Sequence, residues 1–516
     1  MAVAVAMMAH ERKTVNLGLD FGTSYAKVAA MSAGGGPRLL QAPRETGDAL
    51  VPTAVTYAGD HCRIGWAAQD DGLKRPDDLR CEAFNALLPL GTPEEWAANG
   101  WRCAKSPSVV CRDFLDRLLP ASLDGLVVAV PEQWRGRGRP GTAALGRILV
   151  EDLGLPLRAL VSEPVCVAAH LVDRYLRQQP RPEPLARLLV CDAGGGTFDV
   201  TLCAVAGTVV QVVDTDRSDA AGRAFDRAAV QLAYAQAHGH SLDASGPELA
   251  RLLPVFERAK RRGQRRAAAV LEKARTDPRY REAMALRFGD RYELSAEQVE
   301  GCLLPVAAGI REATGRLLAR HGALDAATAV AVVGGFSLWP TVRAAVLEAL
   351  GRGDSQPEAE VPLDEDGRAG AVAYGAALIA EGAIDPRAYY PHTVSLRVRQ
   401  IRDGRLVTDR VTLAAAGTVE LDSHAAAVVE PDRAPLVVEA DGDAGRPLAV
   451  DVQPHGRGEH QTVVLGPAPL SRGAYHVGFQ VDGSSLATVV LRPTAGGEPL
   501  VYPIGDPDAR DLEERR

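Results

Sequence analysis

The chain has 516 residues, of which 46% are hydrophobic and 24% are charged, and its formal net charge is −8. This length predicts two or three domains with a sizeable core, and the composition excludes a wholly disordered chain. The negative charge gives no general reason to expect a nucleic-acid partner, and no apolar run approaches the roughly 18 residues of a membrane span. We therefore expect a cytoplasmic protein that binds neither nucleic acid nor membrane.

Two stretches of the chain, about 170 residues apart, follow the same plan. In "TVNLGLDFGTSYAKVAAMSA" an alternating strand pattern leads into a turn at Asp20–Thr23 and then resumes. In "RLLVCDAGGGTFDVTLCAVAG" one strand ends at Asp192, three glycines turn the chain, and the next strand carries Asp199. The recurrence indicates an internal duplication of one strand–turn–strand unit.

Mixed α/β sequence follows each of these units. The patterns predict a buried strand over 126–134, one helix over "RPGTAALGRILVEDLGL" that ends near Gly154, and mostly helical structure over 224–320. "ATAVAVVGGFSLWPTVRAAVLEAL" predicts a strand, a glycine turn and a helix. "GAVAYGAALIA" predicts a helix of small residues that can pack close to other backbone.

The pattern changes after about residue 383. Short alternating runs are separated by the turn signals Asp403-Gly404, Gly417, Asp441-Gly442 and Asp482-Gly483. This texture predicts an all-β module of about 110 residues, followed by a charged tail.

The cysteines give little support for a metal site or a disulfide framework. The eight residues are scattered and include no Cys-x-x-Cys pair. Because most lie in apolar surroundings, we expect buried, reduced thiols.

The glycine turns have the composition expected of a phosphate site. Glycine lets backbone N–H groups approach a ligand closely and point at it. A carboxylate in the same turn would repel phosphate unless a cation lies between them, so the pattern in "DAGGGTFD" predicts Mg²⁺-phosphate. One such turn alone is a weak signal, since short glycine patterns are common in ordinary hairpins. Two of them facing each other would hold a polyphosphate from both sides.

The sequence resembles a known family at several motifs. "LGLDFGTSYAKVA", "VCDAGGGTFDVTL" and "AVVGGFSLWP" are similar to the first phosphate, second phosphate and adenosine motifs of the actin-like ATPase fold. Within that fold, the seventy-kilodalton heat-shock chaperones (DnaK-type) are the best match, and "AAGRAFDRAAV" is similar to their "GGEDFD" region. The resemblance covers roughly residues 14–382.

The resemblance implies a set of roles around bound ATP or ADP and Mg²⁺. Asp20 and Asp199 would orient Mg²⁺ through its waters, Asp192 would help to position the attacking water, and Glu163 would lie in the outer shell of the metal. Adenine and ribose would contact "FERAKRR" at Glu257, Lys260 and Arg261, or else the run "LEKAR" at 272–275, whose spacing to "YELSAEQV" fits better. The implied phosphate-lining and adenosine-approach residues are Gly22, Thr23, Ser24, Tyr25, Gly194, Gly195, Gly196, Thr197, Gly222, Gly334 and Gly335.

Several positions depart from the family pattern. The family has a lysine in an "FKRLIG"-like stretch near the transferring phosphate, and "EAFNALLPL" carries uncharged Asn85 there, or Phe84 if the register slips by one. The arginine that would stack on adenine is Leu338. Nucleotide binding is therefore expected and slow hydrolysis is predicted, since a preorganised cation at the transferring group is missing. Arg80 lies nearby and is the alternative source of that charge.

The expected architecture is α/β, with a two-lobed actin-like ATPase fold of duplicated ribonuclease-H-like lobes followed by a small all-β domain. The expected boundaries are 14–382 for the nucleotide-binding domain, with lobes at about 14–186 and 187–382, then 390–504 for a β-sandwich-like domain and 505–516 for the tail. The leading hypothesis is an ATP-dependent chaperone whose β module binds a protein or peptide client.

Three alternatives remain open. The first is a nucleotide-sensing scaffold that does not hydrolyse ATP. The second is a carbohydrate kinase on the same fold, for which the sequence shows no sugar-pocket motif. The third is a filament-forming actin relative, against which the added β module argues weakly.

Overall fold

The computed structural model describes the chain from residue 15 to residue 505 with internal gaps. The gaps are 33–34, 42–48, 59–60, 73–79, 121, 136–139, 178–185, 245, 322–327, 352–360, 362, 387–389, 391, 403, 416–418, 420–427, 430–434, 439–447, 454–459, 466–469 and 482–486. The charged tail predicted at 505–516 lies outside the described residues beyond Gly505, as do most of the turn signals predicted for the β module. Two units are distinguished, residues 1–132 with 141–386, and residues 133–140 with 387–516.

The first unit contains two sheets built on the same plan. Its strands in the first half are β1 (Asn16–Phe21), β2 (Tyr25–Met31), β3 (Pro37–Leu39), β4 (Val51–Pro52), β5 (Ala54–Ala58), β6 (His61–Ile64), β7 (Arg80–Glu82), β8 (Gly125–Val130) and β9 (Leu157–Ser162). The larger sheet runs β3-β2-β1-β8-β9 with β4 on β2, and β6-β5-β7 form a separate sheet.

The strands of the second half are β10 (Arg187–Ala193), β11 (Phe198–Ala206), β12 (Val209–Ser218), β13 (Met284–Phe288), β14 (Tyr292–Ser295) and β15 (Ala329–Val333). The sheet runs β12-β11-β10-β15. In both halves a central strand, β1 or β10, pairs antiparallel with the next strand and parallel with a later one, β8 or β15. The predicted duplication of a strand–turn–strand unit is visible in this shared pairing pattern.

Helices cover the faces of these sheets. They are α1 (Gly65–Gly72), α2 (Pro93–Ala98), α3 (Pro107–Leu118), α4 (Pro140–Arg147), α5 (Glu163–Arg177), α6 (Gly222–His238), α7 (Pro247–Thr276), α8 (Ala296–His321), α9 (Pro340–Ala349) and α10 (Glu365–Ala380). Short 3₁₀ turns lie at Phe84–Leu87, Glu132–Arg135, Pro278–Tyr280 and Gly335–Leu338, and a π turn lies at Ile148–Asp152. No helix in the described ranges is both long and apolar enough to cross a membrane.

The helix of small residues packs closely, as the sequence predicts. A Cβ on Gly375 of α10 would overlap the carbonyl oxygen of Cys166 on α5, and a Cβ on Gly18 of β1 would overlap the backbone of Ala377. Glycine at these two positions therefore lets α10 lie directly against β1 and α5.

Two sequence-based predictions need correction, and a third is confirmed with an addition. The strand predicted over 126–134 ends at Val130, because Pro131 lacks the N–H that a central strand needs. The stretch 224–320 is mostly helical, as predicted, and also contains the β13–β14 hairpin between α7 and α8. The prediction of reduced thiols is wrong for Cys81 and Cys103, which form a disulfide, whereas the other six cysteines are free and buried.

The second unit contains two antiparallel sheets. Its strands are β16 (Thr393–Arg402), β17 (Arg405–Ala414), β18 (Val428–Val429), β19 (Leu436–Val438), β20 (Leu448–Gln453), β21 (Gln461–Leu465), β22 (Gly473–Val481), β23 (Ala487–Pro493) and β24 (Leu500–Gly505). One sheet runs β17-β16-β20-β21, and the other runs β18-β22-β23-β24 with β19 on β22. Side chains from both sheets form one buried cluster that includes Val450 and Val489.

Candidate nucleotide site

The first strand–turn–strand unit turns at residues 22–24. Asp20 lies at the end of β1 and is buried, with 4% of its surface exposed. A Cβ on Gly22 would lie 2.7 Å from the carbonyl oxygen of Tyr25, so only glycine fits this tight turn. The hydroxyl of Thr53 donates a 2.7 Å hydrogen bond to the Gly22 carbonyl and anchors the turn from β4–β5.

The second unit turns at residues 194–197. Asp192 at the end of β10 lies directly opposite Asp199 on β11 in the antiparallel register. The turn is closed by a 3.0 Å hydrogen bond from the Gly194 N–H to the Thr197 carbonyl. The Thr197 hydroxyl donates a 2.6 Å hydrogen bond to Asp199 Oδ2, which fixes the orientation of that carboxylate.

The structure brings the two turns together. A Cβ on Gly195 would overlap Ser24 Oγ, and a Cβ on Gly222 would lie 3.1 Å from Gly195 Cα. The Arg223 N–H donates a 2.7 Å hydrogen bond to the Gly195 carbonyl, and its guanidinium reaches the Thr23 carbonyl at 3.4 Å. The N-terminus of α6 therefore contacts both turns at once.

Four carboxylates gather behind these turns: those of Asp20, Asp192, Asp199 and Glu163, the first residue of α5. Burial raises the pKa of Glu163 well above its usual range, and the charges of Asp20, Asp192 and Asp199 raise it further. Burial, followed by the charge of Asp199, raises the pKa of Asp192 to about 7. Carboxylates this crowded and desolvated favour a bound cation, because a cation would offset their mutual repulsion.

Oxygen donors of this kind fit Mg²⁺, which prefers oxygen ligands. Among the residues that the structure describes, no group of three or more His, Cys, Asp or Glu side chains is arranged to hold a metal directly. Mg²⁺ ordinarily keeps several waters and takes only one or two protein carboxylates. The donor set thus suits a hydrated ion held between carboxylates and phosphate oxygens.

One lysine joins this acidic cluster. Lys27 on β2 is the register partner of Asp20, and its Nζ lies 2.5 Å from Asp20 Oδ2. Burial by itself would lower the pKa of Lys27, but the charges of Asp20, Asp192 and Glu163 outweigh it and raise that pKa. The ammonium therefore stays protonated at neutral pH. The sequence analysis missed this residue, although the chain has only six lysines and Lys27 stands opposite Asp20 in the predicted hairpin.

The run 257–261 on α7 contacts the first turn. The Tyr25 hydroxyl donates a 2.8 Å hydrogen bond to Glu257 Oε1. The Arg261 guanidinium lies 4.8 Å from the ring centroids of both Tyr25 and Trp66. Lys260 binds both carboxylate oxygens of Asp226 at 2.7 Å. Trp66 lies in no motif recognised from the sequence, and Asp226 lies in "AAGRAFDRAAV" but was given no role there.

The alternative run 272–275 has partners nearby in sequence, and the Arg275 guanidinium also donates a 3.5 Å hydrogen bond to the carbonyl of Pro340, the last residue of the predicted adenosine motif. Glu272 and Arg275 pair with each other at 4.0 Å, and Lys273 lies over the ring of Tyr280. The run 257–261 thus contacts Tyr25 at the start of β2, whereas the run 272–275 contacts the end of the predicted adenosine motif.

The two glycines of the predicted adenosine motif lie next to the second turn. Gly334 has a φ of +85°, and a Cβ there would overlap the Ala193 carbonyl and an Asp192 carboxylate oxygen. A Cβ on Gly335 would meet no atom within 4 Å, and the Gly335 carbonyl accepts a 3.0 Å hydrogen bond from Gln264. Glycine at 334 lets β15 end against Asp192, and Gly335 leaves open space beside it.

Asn85 lies against the first turn. It is buried, its Nδ2 donates a 2.7 Å hydrogen bond to the Phe21 carbonyl, and its Oδ1 accepts a 3.0 Å hydrogen bond from the Ala86 N–H. Arg80, the alternative source of charge, pairs with Glu82 at 3.4 Å. The side-chain amide of Asn85 thus links the end of β1 to the 3₁₀ turn at Phe84–Leu87.

Comparison with known proteins identifies the family. The Hsp70 protein family profile matches residues 112–386, just over half of the chain. The chain belongs to the Hsp70 family. Membership in the Hsp70 family implies the two-lobed actin-like ATPase fold, and the mixed α/β architecture of the first unit agrees with it.

Individual relatives in the Hsp70 family are less than 30% identical to the chain. The chain is 27% identical over 399 residues to the chaperone protein HscA homolog of Pseudomonas fluorescens (strain SBW25), covering 72% of this chain and 58% of that protein. It is 28% identical over 212 residues to the chaperone protein DnaK of Ureaplasma urealyticum serovar 10, covering 39% of this chain and 32% of that protein. The chain therefore spans less than two thirds of these Hsp70 relatives.

Proposed function

We propose that this chain is an ATP-binding chaperone of the Hsp70 type that hydrolyses ATP slowly. The observation that supports this most is the meeting of the two glycine turns at Ser24, Gly195 and Gly222, in front of four clustered carboxyl groups, of which Asp20 is buried. Backbone donors backed by carboxylates suit a Mg²⁺-polyphosphate.

Each side chain has a task in this proposal. Asp20 and Asp199 hold the waters of Mg²⁺, Glu163 lies in the outer shell, and Asp192 orients the attacking water. Mg²⁺, when bound, neutralises phosphate charge. Arg261 and Glu257 of α7, with Lys260, hold the adenosine next to Gly334 and Gly335. The phosphates lie against Gly22, Thr23, Ser24, Tyr25, Gly194, Gly195, Gly196, Thr197 and Gly222.

Slow turnover is argued from residue 85. Asn85 carries no charge, so the preorganised cation expected at the transferring phosphate is absent at this position. Losing one such electrostatic contact typically costs about 10²–10³ in rate, whereas positioning and backbone donors are kept. Turnover at about 1 s⁻¹ or faster, an ordinary kinase rate, would contradict this argument.

The test combines binding with phosphate release. Calorimetric titration with ATP·Mg²⁺ should show saturable binding. A separate thermal unfolding scan should show a melting temperature that ATP·Mg²⁺ raises by mass action. Asp192→Asn should bind ATP yet release less phosphate than wild type, while Asp116→Asn on the exposed side of α3 should match wild type. Binding with no release in any variant would favour the nucleotide-sensing scaffold, and no binding by wild type would refute the proposal.

We further propose that residues 390–504 form a β-sandwich-like module that binds a protein or peptide client. The two antiparallel sheets with a shared apolar cluster support a sandwich. Coupling between this module and the nucleotide should change the rate at which trypsin cuts the 382–391 join when ATP is added. Equal rates would indicate domains that share no conformational equilibrium.

A further inference from the structure

We infer that Lys27 is a phosphate-binding cation on β2 beside the first turn, so that the nucleotide's phosphates are held partly by the chain's own charge and not by Mg²⁺ alone. This inference rests on the proposed function. Neither the motif roles nor the argument from Asn85 assigned a function to Lys27.

The position of Lys27 follows from the strand register. Lys27 on β2 stands directly opposite Asp20 on β1, so both side chains project from the same face of the hairpin. Their side chains are 16% and 5% exposed, and the ion pair between them is 2.5 Å long. The ammonium is thus fixed beside the turn at 22–24, where the phosphates are proposed to bind.

The charges around this ammonium leave the site with an excess of negative charge that a phosphate ligand would increase. The cluster contains four carboxyl groups, those of Asp20, Glu163, Asp192 and Asp199. The charges of the first three raise the pKa of Lys27. A polyphosphate brings further negative charge into the same space. Because Asn85 is neutral and its amide is bonded to Phe21, it offers no compensating charge.

The ammonium also has hydrogen-bonding capacity to spare. It carries three donors, and within the described residues one hydrogen bond is made, to Asp20. A lysine that only neutralised Asp20 would need no more than this contact. A lysine that also binds phosphate would direct another donor to a phosphate oxygen, as a charge-assisted bond.

The fixed charge acts on binding more than on rate. Lys27 is already held by Asp20 before the reaction, so it contacts the phosphates in the ground state and in the transition state alike. Such uniform binding lowers the dissociation constant without raising turnover. The inference is therefore compatible with slow hydrolysis.

The experiment compares three ligands with and without Mg²⁺. Dissociation constants for ATP, ADP and adenosine are measured by calorimetry in Mg²⁺ and in EDTA, for wild type and Lys27→Gln. Glutamine keeps a donor for Asp20 but removes the charge. Lys105→Gln is the matched control, because Lys105 is half-exposed and pairs with Asp113 at 3.2 Å on the same half of the unit. Lys27→Arg keeps the charge.

The expected result is selective for phosphate. In EDTA, wild type should still bind ATP and ADP, and Lys27→Gln should weaken both by about 10–100-fold, as for loss of a charged hydrogen bond. Adenosine affinity should change less than about threefold, which also shows that the variant is folded. Lys27→Arg should recover part of the loss, and Lys105→Gln should match wild type.

Other outcomes overturn the inference in distinguishable ways. Unchanged ATP and ADP affinity in Lys27→Gln would show that Lys27 only balances Asp20, while the proposed function stands. Equal losses for adenosine and ATP would show a structural role in shaping the site. Failure of wild type to bind ATP even with Mg²⁺ would overturn the proposed function and this inference together.

Discussion

The hydroxyl of Tyr25, at the start of β2, donates a 2.8 Å hydrogen bond to Glu257 Oε1 on α7, 232 residues away in the sequence. Arg261, one helical turn further along, lies 4.8 Å from the Tyr25 ring centroid. The first turn and α7 are thus joined by a hydrogen bond and a cation–π contact at the proposed adenosine side of the site.

Tyr25→Phe should therefore destabilise the protein. The change leaves the Glu257 carboxylate without this partly buried donor, so the free energy of unfolding should fall by about 1–3 kcal/mol. Urea denaturation of Tyr25→Phe, Glu257→Gln and the double variant forms a cycle whose coupling energy should be about 0.5 kcal/mol or more. Additive effects would mean that the two side chains do not support each other.

Gly375→Ala should be strongly destabilising. The added methyl group would overlap the Cys166 carbonyl, where backbone cannot move aside cheaply, so we expect a loss of about 2–4 kcal/mol. Gly315→Ala on α8 is the matched control, because its side is exposed and a Cβ there meets no atom within 4 Å. That variant should gain about 0.5–1 kcal/mol from helix propensity. Similar losses in both would contradict the packing of α10 on α5.

His170 should make stability depend on pH. It is 6% exposed on α5, and burial, aided by the charge of Arg174, lowers its pKa to about 4, although Asp364 opposes the shift. The unfolded chain takes up a proton near pH 6.5 while the folded protein does not, so the free energy of unfolding falls as pH drops from about 6.5 to about 4. The loss should reach roughly 3 kcal/mol at the acid end.

The check for His170 is a difference between two slopes. Denaturant unfolding of wild type and His170→Leu is measured at several pH values in this window, without nucleotide. Between about pH 6.5 and pH 4, the free energy of unfolding should fall less steeply in His170→Leu than in wild type, because the variant lacks the contribution of His170. Parallel pH profiles for the two proteins would show that His170 titrates normally.

The Cys81–Cys103 disulfide predicts how many free thiols the protein contains before and after reduction. Cys81 on β7 and Cys103 are bonded, and the remaining six cysteines are free. Thiol titration of the protein unfolded in denaturant should find six reactive groups before reduction and eight after it. Eight groups before reduction would favour the reduced thiols expected from the sequence. Cys81→Ser and Cys103→Ser should each leave one unpaired thiol at this location.

Local chemistry allowed much of the site to be predicted from sequence. The turns at Asp20 and Asp192 were recognisable because glycine runs flanked by carboxylates conflict with strand propensity and therefore indicate a ligand. The β13–β14 hairpin was missed because its strands are only five and four residues long and lie between two long helical patterns. The Cys81–Cys103 pair was missed because spacing alone carries no information about which distant thiols meet.

The sequence by itself determined the duplicated hairpins, the glycine turns and the acidic residues that they carry, since these depend on neighbours in the chain and on the period of two in a strand. Only the tertiary structure decided which turn of α7 reaches Tyr25, because Glu257 and Glu272 lie on one continuous helix with similar local sequence. It also decided that Glu163 and Lys27 share one partly buried cluster with Asp20 and Asp192. That grouping arises from packing between strands and helices far apart in sequence, and burial there is what makes their charges act on one another.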